Sequence, residues 1–491
     1  MLDFTTAAAR FGLGARPDDQ RLADIRRGLE NQFERFQPKP SALAGAPTRV
    51  AVAGSLADYL EETRMFRAQN MGAGRASVAT AATVMPGGTP ADGTVKDAIQ
   101  ASRKYARQTA RDQYLALVGA RMNAALITDT PFVERMVHFW ANHFAISIDK
   151  LTLIGMGGLL EMEAIRPNVL GKFSDMVMAV ERHPAMLLYL DQAQSIGPDS
   201  PAGQRIAARG NRKAGLNENL AREIMELHTL GVRTGYTQSD VTEFARAMTG
   251  WTVSGITRGP MARALGADGS PGDFVFVPAL HEPGDRKIMG RRYTAAGEVQ
   301  ARQVILDLAA HPATAKHIAT KLARHFAGDM PPPSLVDRLA ARFAESSGDL
   351  PAIYRVLAEA PELQGPQLTK FKTPWDWSVS ALRAVGAKQV EGQPIAGMLT
   401  QLGQPVWRPG SPAGYDDLDA SWAGPDALMR RVEAASRIAT RVGGVKLDPR
   451  QLAATVLPAG GSATTLAAIG RAESPVEGIA LMLCAPEFMR R

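Results

Sequence analysis

Apolar side chains recur with the spacing of an α-helix along most of this 491-residue chain, and this periodicity constrains the fold more than any other feature. Strand patterns stand out in two short runs, the sequence DFVFV at 273–277 and the sequence RRY at 291–293. We therefore predict a mostly α-helical, multi-helix globular fold with a small β-hairpin near residues 273–293.

Three stretches depart from the helical pattern. Residues 71–94 are rich in Gly, Ala, Thr and Pro and carry few large apolar side chains, which predicts a flexible insertion. Residues 192–215 and 403–424 combine Gly and Pro with polar side chains, which predicts two long loops. The helical pattern resumes after each stretch and no regular repeat divides the chain, so we predict a single large helical domain over residues 1–491.

The charge and the cysteine content exclude several classes of protein. Lys and Arg outnumber Asp and Glu by 56 to 49, but the Arg residues are scattered along the chain instead of forming one basic tract. We therefore predict no nucleic-acid binding. The single cysteine, Cys484, excludes a disulfide framework and a cysteine-based zinc cluster.

The distribution of apolar residues bears on the location of the protein. The sequence has no run of about 18 apolar residues, so we predict no membrane span. Its start, MLDFTTAAARFGLGARP, lacks a charged leader followed by a long apolar run, so we predict no secretory signal. On this basis we expect a cytoplasmic protein, with a periplasmic location left open.

The first candidate site is a predicted helix with two histidines, His138 and His143. Glu134, His138 and Asn142 recur every four residues and share one face, whereas His143 lies about 140° from His138 around the helix axis. The two histidines therefore lack the four-residue spacing of the HExxH zinc motif. Two interpretations stay open: a packed helix whose polar groups satisfy buried neighbours, or a site to which His143 and Trp140 contribute.

The second candidate is a polar helix predicted over residues 217–231. Asn219, Glu223 and Glu226 lie within about 60° of one another around its axis, and Arg222 is four residues from Glu226. Paired carboxylates act as general acid and base, or bind a divalent cation through oxygen. The alternative is a salt-bridged face exposed to solvent.

Two weaker candidates follow the polar helix in sequence. Arg246 and Trp251 lie at the end of the next predicted helix, where they would suit a sugar or an anion. An aromatic residue that packs a helix end explains them equally well. His281 follows the predicted strand at 273–277, in a loop position that often delivers a side chain to a site. The sequence contains no GxSxG, P-loop, GxGxxG, CxxC or HExxH motif.

Several motifs spread over nearly the whole chain carry a family resemblance. They include RFGLG at 10–14, FWANHF at 139–144, AREIMELHTLG at 221–231, GYT at 235–237 and ARAMTGW at 245–251. Together they resemble the bacterial family known as domain of unknown function 1800 (DUF1800). Members often read FWHNHF in the second motif, so Ala141 stands here in place of a histidine.

The resemblance implies a largely helical protein and names no reaction. Members are often exported and encoded beside a sulfatase-like protein, which implies a sulfatase-like partner and work on the cell envelope or on polysaccharides. From the residues and the resemblance we predict a hydrolase-type or lyase-type enzyme that acts on a glycan or cell-envelope substrate. Its site would use a carboxylate–histidine cluster, with a divalent metal ion as an optional cofactor.

The residues predicted to form this site fall into two groups. The predicted catalytic residues are Glu223, Glu226, Arg222, His143 and His281. The predicted substrate-binding residues are Asn217, Asn219, Arg246, Trp251 and Trp140. The alternative is a non-enzymatic accessory or assembly protein that works with a partner, in which the polar helix forms a buried ion-pair network.

Overall fold

The computed structural model describes residues 2–20, 24–80, 92–208, 215–256, 266–267, 269–442 and 447–491, with the side chains of 69–80 and 92–96 left undescribed. Within these residues the fold is mostly α-helical with two small antiparallel sheets, which confirms the predicted fold class. None of the described helices is both long enough and apolar enough to cross a membrane.

The helices of the N-terminal half are short, apart from two long ones that pack against each other. Asp3 and Asp24 start the first two helices, since each carboxylate accepts a hydrogen bond from a backbone N–H three residues later. The helices are α1 (Phe4–Arg10), α2 (Ile25–Arg35), α3 (Arg49–Thr80), α4 (Asp92–Ile127), α5 (Pro131–His143), α6 (Gly157–Leu159), α7 (Phe173–Glu181), α8 (Pro184–Tyr189), α9 (Pro201–Ala208), α10 (Asn219–Glu223) and α11 (Gln238–Met248).

Two of these helices continue as wider π-helical turns. Leu160–Ile165 extends α6, and Ile224–His228 extends α10. In a π-helix the backbone bonds span five residues instead of four. The side chains after Ile224 are therefore displaced around the axis from the positions that a regular helix gives.

The C-terminal half is also built of helices, and proline opens several of them. A proline at the first helical position loses no hydrogen bond, because the first N–H groups of a helix have no intrahelical partner. The helices are α12 (Glu298–Ala309), α13 (Pro312–Ala327), α14 (Pro333–Glu345), α15 (Leu350–Glu359), α16 (Pro374–Ala384), α17 (Gly392–Gln401), α18 (Pro425–Val442), α19 (Pro449–Val456), α20 (Ala463–Gly470) and α21 (Pro475–Leu483).

Short strands form two antiparallel pairs in the described residues, β1 (Trp251–Val253) with β2 (Phe274–Phe276) and β3 (Arg286–Ile288) with β4 (Arg291–Tyr293). Met289 and Gly290 join β3 to β4 with φ values of 47° and 81°. A two-residue hairpin turn of type I′ requires positive φ at both positions. The predicted hairpin is therefore confirmed as β3–β4, whereas the run at 273–277 pairs back with β1.

The predicted insertion at 71–94 is helical at both of its ends. Helix α3 runs to Thr80 and α4 begins at Asp92, while residues 81–91 lie outside the described residues. Residues 71–80 contain three alanines, and alanine favours a helix even where large apolar side chains are scarce.

The two predicted loops differ in their structure. In the stretch 192–215, residues 201–208 form α9 and residues 209–214 lie outside the described residues. The stretch 403–424 is irregular apart from one 3₁₀ turn, Asp419–Ser421. It joins α17 to α18.

The apolar core consists of two clusters of buried side chains. The larger cluster draws on α1 to α8 and α10 to α17, and it includes the fully buried Phe132 and Trp140. The smaller cluster includes Trp377 and belongs mainly to α16, α18, α19 and α21. The loop 403–424 contributes Trp407 to the larger cluster and Trp422 to the smaller one, so it is anchored to both.

Candidate functional site

A cavity of about 690 Å³ lies where α5, α13, the start of α16 and the loop 403–424 meet. Cavities of this size suit small organic ligands. Most of the lining side chains that could bind or react with a ligand are charged or aromatic. The polar and aromatic lining includes Arg121, Arg135, His138, Asn142, His143, His317, Lys321, Arg324, His325, Trp375, Asp376, Trp407, Tyr415 and Asp417.

Helix α5 is anchored at its start and presents its second half to the cavity. Glu134 accepts two hydrogen bonds from the Arg166 guanidinium, at 2.6 and 3.0 Å, and both side chains are buried. Four residues later, His138 lines the cavity, and its Nδ1 accepts a hydrogen bond of 3.1 Å from Trp375 Nε1. The face predicted from Glu134, His138 and Asn142 is therefore divided between the core and the cavity.

The end of the polar helix orients two histidines of the cavity. His143 Nε2 lies 3.1 Å from the carbonyl oxygen of His228, and His317 Nε2 lies 3.1 Å from the carbonyl oxygen of Leu227. The last carbonyls of a helix have no intrahelical partner, so they are available to accept these bonds. Nε2–H donates in both rings, which leaves each Nδ1 as a proton acceptor.

Both of these histidines are neutral at physiological pH. Burial lowers the pKa of His143 well below its usual value and lowers the pKa of His317 to about 4, and Lys321 adds to both shifts. The rings of His143 and His317 lie 6.1 Å apart. His143 Nδ1 is buried and has no hydrogen-bond partner among the described residues. Each ring can therefore accept a hydrogen bond from a bound molecule.

Helix α13 carries two cations that form no close ion pair in the described residues. Lys321 and Arg324 line the cavity, and neither side chain makes a hydrogen bond or an ion pair within 4 Å in the part of the chain that the structure describes. Burial lowers the pKa of Lys321 to about 8, although the nearby Asp417 opposes the shift. By contrast, the exposed Lys316 of the same helix pairs with Asp337 at 2.6 Å.

Asp376 and Asp417, two of the acidic side chains that line the cavity, are already engaged with other cations. Arg491 Nε lies 2.8 Å from Asp376 Oδ2, and Lys370 Nζ lies 3.5 Å from Asp417 Oδ1. Burial works to raise the pKa of Asp417, but His325, Arg491 and Lys370 outweigh it and hold the pKa below its usual range. Both aspartates are therefore ionised near neutral pH, and these cations balance their charge.

The loop 403–424 forms one wall of the cavity and is fastened to α5. Asn142 Nδ2 donates to the carbonyl oxygen of Tyr415, and Asn142 Oδ1 accepts from the N–H of Tyr415, both at 2.8 Å. Gly414 packs against the same helix end with φ of 85°, and a Cβ there would lie 2.2 Å from the Asn142 carbonyl oxygen. This contact fixes the position of Tyr415 in the wall.

Two tryptophans and an arginine form another part of the wall. The guanidinium of Arg121 lies 4.0 Å from the ring centre of Trp375 and 5.4 Å from that of Trp407. Its Nε pairs with Glu161 at 2.8 Å. Trp407 packs closely on Gly158, where a Cβ would lie 2.6 Å from the indole ring. Flat aromatic faces of this kind suit the ring of a sugar or another cyclic ligand.

Of the ten site residues predicted from the sequence, His143 lines the cavity and the other nine do not. His281 contacts Thr249 and Phe276, since its Nδ1 lies 2.9 Å from the Thr249 carbonyl oxygen. No contact in the described residues joins His281 to His143 or to Glu223. The structure therefore does not bring the predicted catalytic set together around one point.

The carboxylates of the polar helix lie outside the cavity. Burial raises the pKa of Glu223, with Glu226 adding to the effect. Arg222 pairs with Glu218 at 3.2 Å and not with Glu226. Arg222 is therefore paired with a residue one turn before it, Glu218, and not with Glu226, one turn after it, as predicted. The π-helix beginning at Ile224 explains the difference, because it displaces Glu226 around the axis.

The tryptophans predicted to bind substrate lie in the core. Trp140 Nε1 donates to the Tyr354 hydroxyl at 2.7 Å. Trp251 is fully buried, and its ring lies 5.1 Å from that of Phe274 in an edge-to-face contact. Their contribution to substrate binding stays a prediction.

The remaining three predicted residues lie nearer the surface. Asn217 Nδ2 donates to the Leu190 carbonyl oxygen at 3.1 Å, and Asn217 Oδ1 accepts from the N–H of Asn219 at 2.9 Å. Arg246 pairs with Glu243 at 2.5 Å. These contacts position the ends of α10 and α11, and a role in substrate binding stays a prediction.

A metal ion finds no ready set of ligands. No three His, Cys, Asp or Glu side chains are grouped so as to hold one in the residues that the structure describes. The oxygen-rich set expected of a divalent-cation site is thus not offered by Glu223 and Glu226 in this arrangement.

Comparison with known proteins decides the family. The family model described as Protein of unknown function (DUF1800) matches residues 6–490, essentially the whole chain. The chain belongs to the DUF1800 family. No curated protein and no solved structure matches it. The function of this DUF1800 protein therefore has to be argued from its cavity.

Sequence reasoning missed most of the cavity of this DUF1800 protein. The missed residues with the clearest signal are His317, Lys321 and His325, which recur every four residues along α13 and so share one face. Basic side chains on such a face usually point to solvent. The loop 403–424, which covers them, comes about 80 residues later in the chain and leaves no local trace in their sequence.

Proposed function

We propose that this DUF1800 protein is an enzyme of the hydrolase or lyase type whose active site is the cavity. Its substrate would be an acidic sugar or another anionic, ring-bearing component of the cell envelope. The observation that carries the proposal is the pair Lys321 and Arg324, two cations on the wall of a partly open cavity whose side chains make no hydrogen bond or close ion pair with the described residues. Both side chains are half-buried, and a charge that is partly removed from water without a close partner is unfavourable, so a bound carboxylate, sulfate or phosphate would supply that partner.

The neighbours of this pair support acid–base chemistry. The pKa of Lys321, about 8, lies close to physiological pH, where a group transfers protons in both directions most effectively. His143 and His317 add two neutral rings whose Nδ1 atoms can accept a hydrogen bond from the substrate. Proton abstraction next to an anchored acid group is the first step of a lyase reaction, and activation of water by the same groups is the first step of hydrolysis.

The aromatic walls support a cyclic substrate. Trp375, Trp407 and Tyr415 line the cavity, and Arg121 fixes the two indole rings from one side. Burial raises the pKa of the Tyr415 hydroxyl above its usual value, so this hydroxyl stays protonated at neutral pH. Aromatic faces and a protonated hydroxyl are the groups with which proteins hold a sugar ring.

The other functional hypotheses stay predictions. The accessory-protein hypothesis rests on the lack of a standard catalytic motif, and the sulfatase-like partner rests on the family resemblance. The hypothesis of a catalytic Glu223–Glu226 pair rests on sequence spacing, and it places the reaction outside the cavity. A binding measurement distinguishes the cavity from the Glu223–Glu226 pair as the site at which a ligand binds.

The test compares acidic with neutral sugars in a thermal-shift assay on the purified full chain. Glucuronate, galacturonate and a sulfated N-acetylglucosamine should raise the melting temperature, whereas glucose and N-acetylglucosamine should not, because only the acidic sugars pair with Lys321. The variant Lys321→Met should lose most of the effect. Lys316→Met is the matched control, since Lys316 lies on the same helix but is exposed and paired with Asp337.

Two results would overturn the proposal. The first is stabilisation by neutral sugars that equals the stabilisation by acidic ones. The second is stabilisation by acidic sugars that survives in the double variant Lys321→Met, Arg324→Met.

A further inference from the structure

We infer that Lys321 is a covalent nucleophile that forms an imine with a 2-oxo acid whose carboxylate is bound by Arg324. The inference rests on the proposed function and deepens it, because it names the substrate class that the same cavity takes. A 2-oxo acid group occurs on small metabolites and on acidic sugars alike, and both present the same pair of reacting atoms.

The spacing on α13 matches this substrate class. Lys321 and Arg324 are three residues apart, so their Cβ atoms are neighbours on the helix surface, about 5–6 Å apart. In a 2-oxo acid the carboxylate is bonded directly to the carbonyl carbon. An acid group held by Arg324 therefore places the carbonyl carbon within reach of Lys321 Nζ. Neither side chain has to break an ion pair with another described residue first.

The protonation state of the Lys321 amine is also compatible with imine formation. Burial lowers the pKa of Lys321 to about 8, so on the order of a tenth of the amine is in the reactive neutral form at pH 7. Lys372 shows that a lowered pKa alone does not make a site. Burial lowers its pKa to about 7, yet it does not line the cavity, and its ammonium lies 4.2 Å from the ring of Phe488.

The covalent step conserves atoms and needs no oxidant or reductant. The lone pair of neutral Lys321 Nζ attacks the carbonyl carbon, and a C–N bond forms while the C=O pair moves to oxygen. The former carbonyl oxygen then leaves as water together with both hydrogens of the amine, which gives the imine. His317, one turn before Lys321, offers Nδ1 as the acceptor that moves a proton from nitrogen to the departing oxygen.

The experiment traps the imine on the full chain. The protein is incubated at neutral pH with pyruvate and sodium borohydride, which supplies the hydride that reduces an imine to a stable secondary amine. Peptide mass spectrometry should find a carboxyethyl group on Lys321 at an occupancy at least about tenfold above that of Lys316. Acetone has the carbonyl without the carboxylate, so it should label Lys321 about tenfold less. Lactate has the carboxylate without the carbonyl, so it should protect Lys321.

Variants separate the roles of the two cations. Lys321→Arg keeps the charge but has no nucleophilic amine, so labelling in the cavity should disappear. Arg324→Gln should reduce labelling of Lys321 about tenfold. Lys316→Arg should leave it unchanged, because Lys316 is exposed on the same helix. Far-UV circular dichroism and the melting temperature identify a variant that fails to fold, and the wild-type labelling pattern stands without any variant.

The outcomes are distinguishable from those of the proposed function. Labelling spread evenly over exposed lysines, without preference for Lys321, overturns the imine. So does a preference for Lys321 that Arg324→Gln and acetone leave unchanged. If acidic sugars stabilise the protein through Lys321 but pyruvate is not trapped there, the imine alone is overturned. If neither effect is seen, the proposed function is overturned as well.

Discussion

His143 Nε2 lies 3.1 Å from the carbonyl oxygen of His228, a residue 85 positions later in the chain. This contact joins the two most distinctive family motifs, FWANHF at 139–144 and AREIMELHTLG at 221–231. The second motif ends in a π-helix whose last carbonyls hold His143 and His317. We therefore propose that its main contribution is to orient the histidines of the cavity.

The buried histidines predict a loss of stability in mild acid. Burial lowers the pKa of His317 and of His325 to about 4 from the usual 6.5. Between these values the unfolded chain binds protons that the folded chain does not. The stability is therefore fully present above pH 6.5 and is lost as the pH falls towards 4, by at most about 1.4 kcal/mol per pH unit for each histidine.

Denaturant titrations at about pH 7 and about pH 5 measure this loss as a difference in the free energy of unfolding. His317→Gln keeps a donor for the Leu227 carbonyl but cannot take up a proton, so its free energy of unfolding should depend less steeply on pH. An unchanged slope in this variant would show that His317 is not neutral in the fold.

We expect Asn142 to hold the loop 403–424 in place as a wall of the cavity. Asn142→Ala removes both hydrogen bonds to Tyr415, which should cost about 1–3 kcal/mol of unfolding free energy and weaken ligand binding. Asn123→Ala is a matched control. Asn123 holds Val390 through the same two bonds, at 3.1 and 2.8 Å, but does not line the cavity. Both variants should lose similar stability, and only Asn142→Ala should lose affinity. Equal losses of affinity would contradict a specific role for the loop.

Because Trp407 packs closely on Gly158, we predict that position 158 does not tolerate a side chain larger than that of glycine. A Cβ at 158 would lie 2.6 Å from the indole, so Gly158→Ala should cost about 1–3 kcal/mol of unfolding free energy. Gly397→Ala is the control, because that glycine lies in α17 with open space around it. This change should be neutral or stabilise by up to about 1 kcal/mol. Thermal unfolding of both variants measures the difference, and a tolerated Gly158→Ala would mean that the tryptophan is free to move.

The polar helix offers a direct comparison with the site predicted from sequence alone. Glu223→Gln and Glu226→Gln should leave the affinity for acidic sugars unchanged, because neither carboxylate lines the cavity. Burial raises the pKa of Glu223, so ionisation of this side chain disfavours the fold at neutral pH. Glu223→Gln should therefore keep or slightly raise the free energy of unfolding. Loss of binding in either variant, with the melting temperature unchanged, would favour the carboxylate pair instead.

The fold could be predicted from local sequence patterns, whereas the site depends on contacts between residues that are far apart in the chain. Helical periodicity and the strand run RRY predicted the helices and β4, because both depend on neighbouring residues. The π-helix at Ile224–His228 is not readable from spacing, so the face assigned to Glu226 was displaced. Lys321 looks like a solvated helix residue in sequence, and only the fold places it in a cavity. Asn142 and Tyr415 are 273 residues apart, and no local signal links them.

The location of a bound ligand tests the central claim most directly. A crystal structure of the full chain with the acidic sugar that binds most tightly should show its acid group within hydrogen-bond distance of Lys321 Nζ and the Arg324 guanidinium. The sugar ring should face Trp375 or Trp407. Ligand density beside Glu223 and Glu226, with the cavity occupied by water alone, would contradict the account.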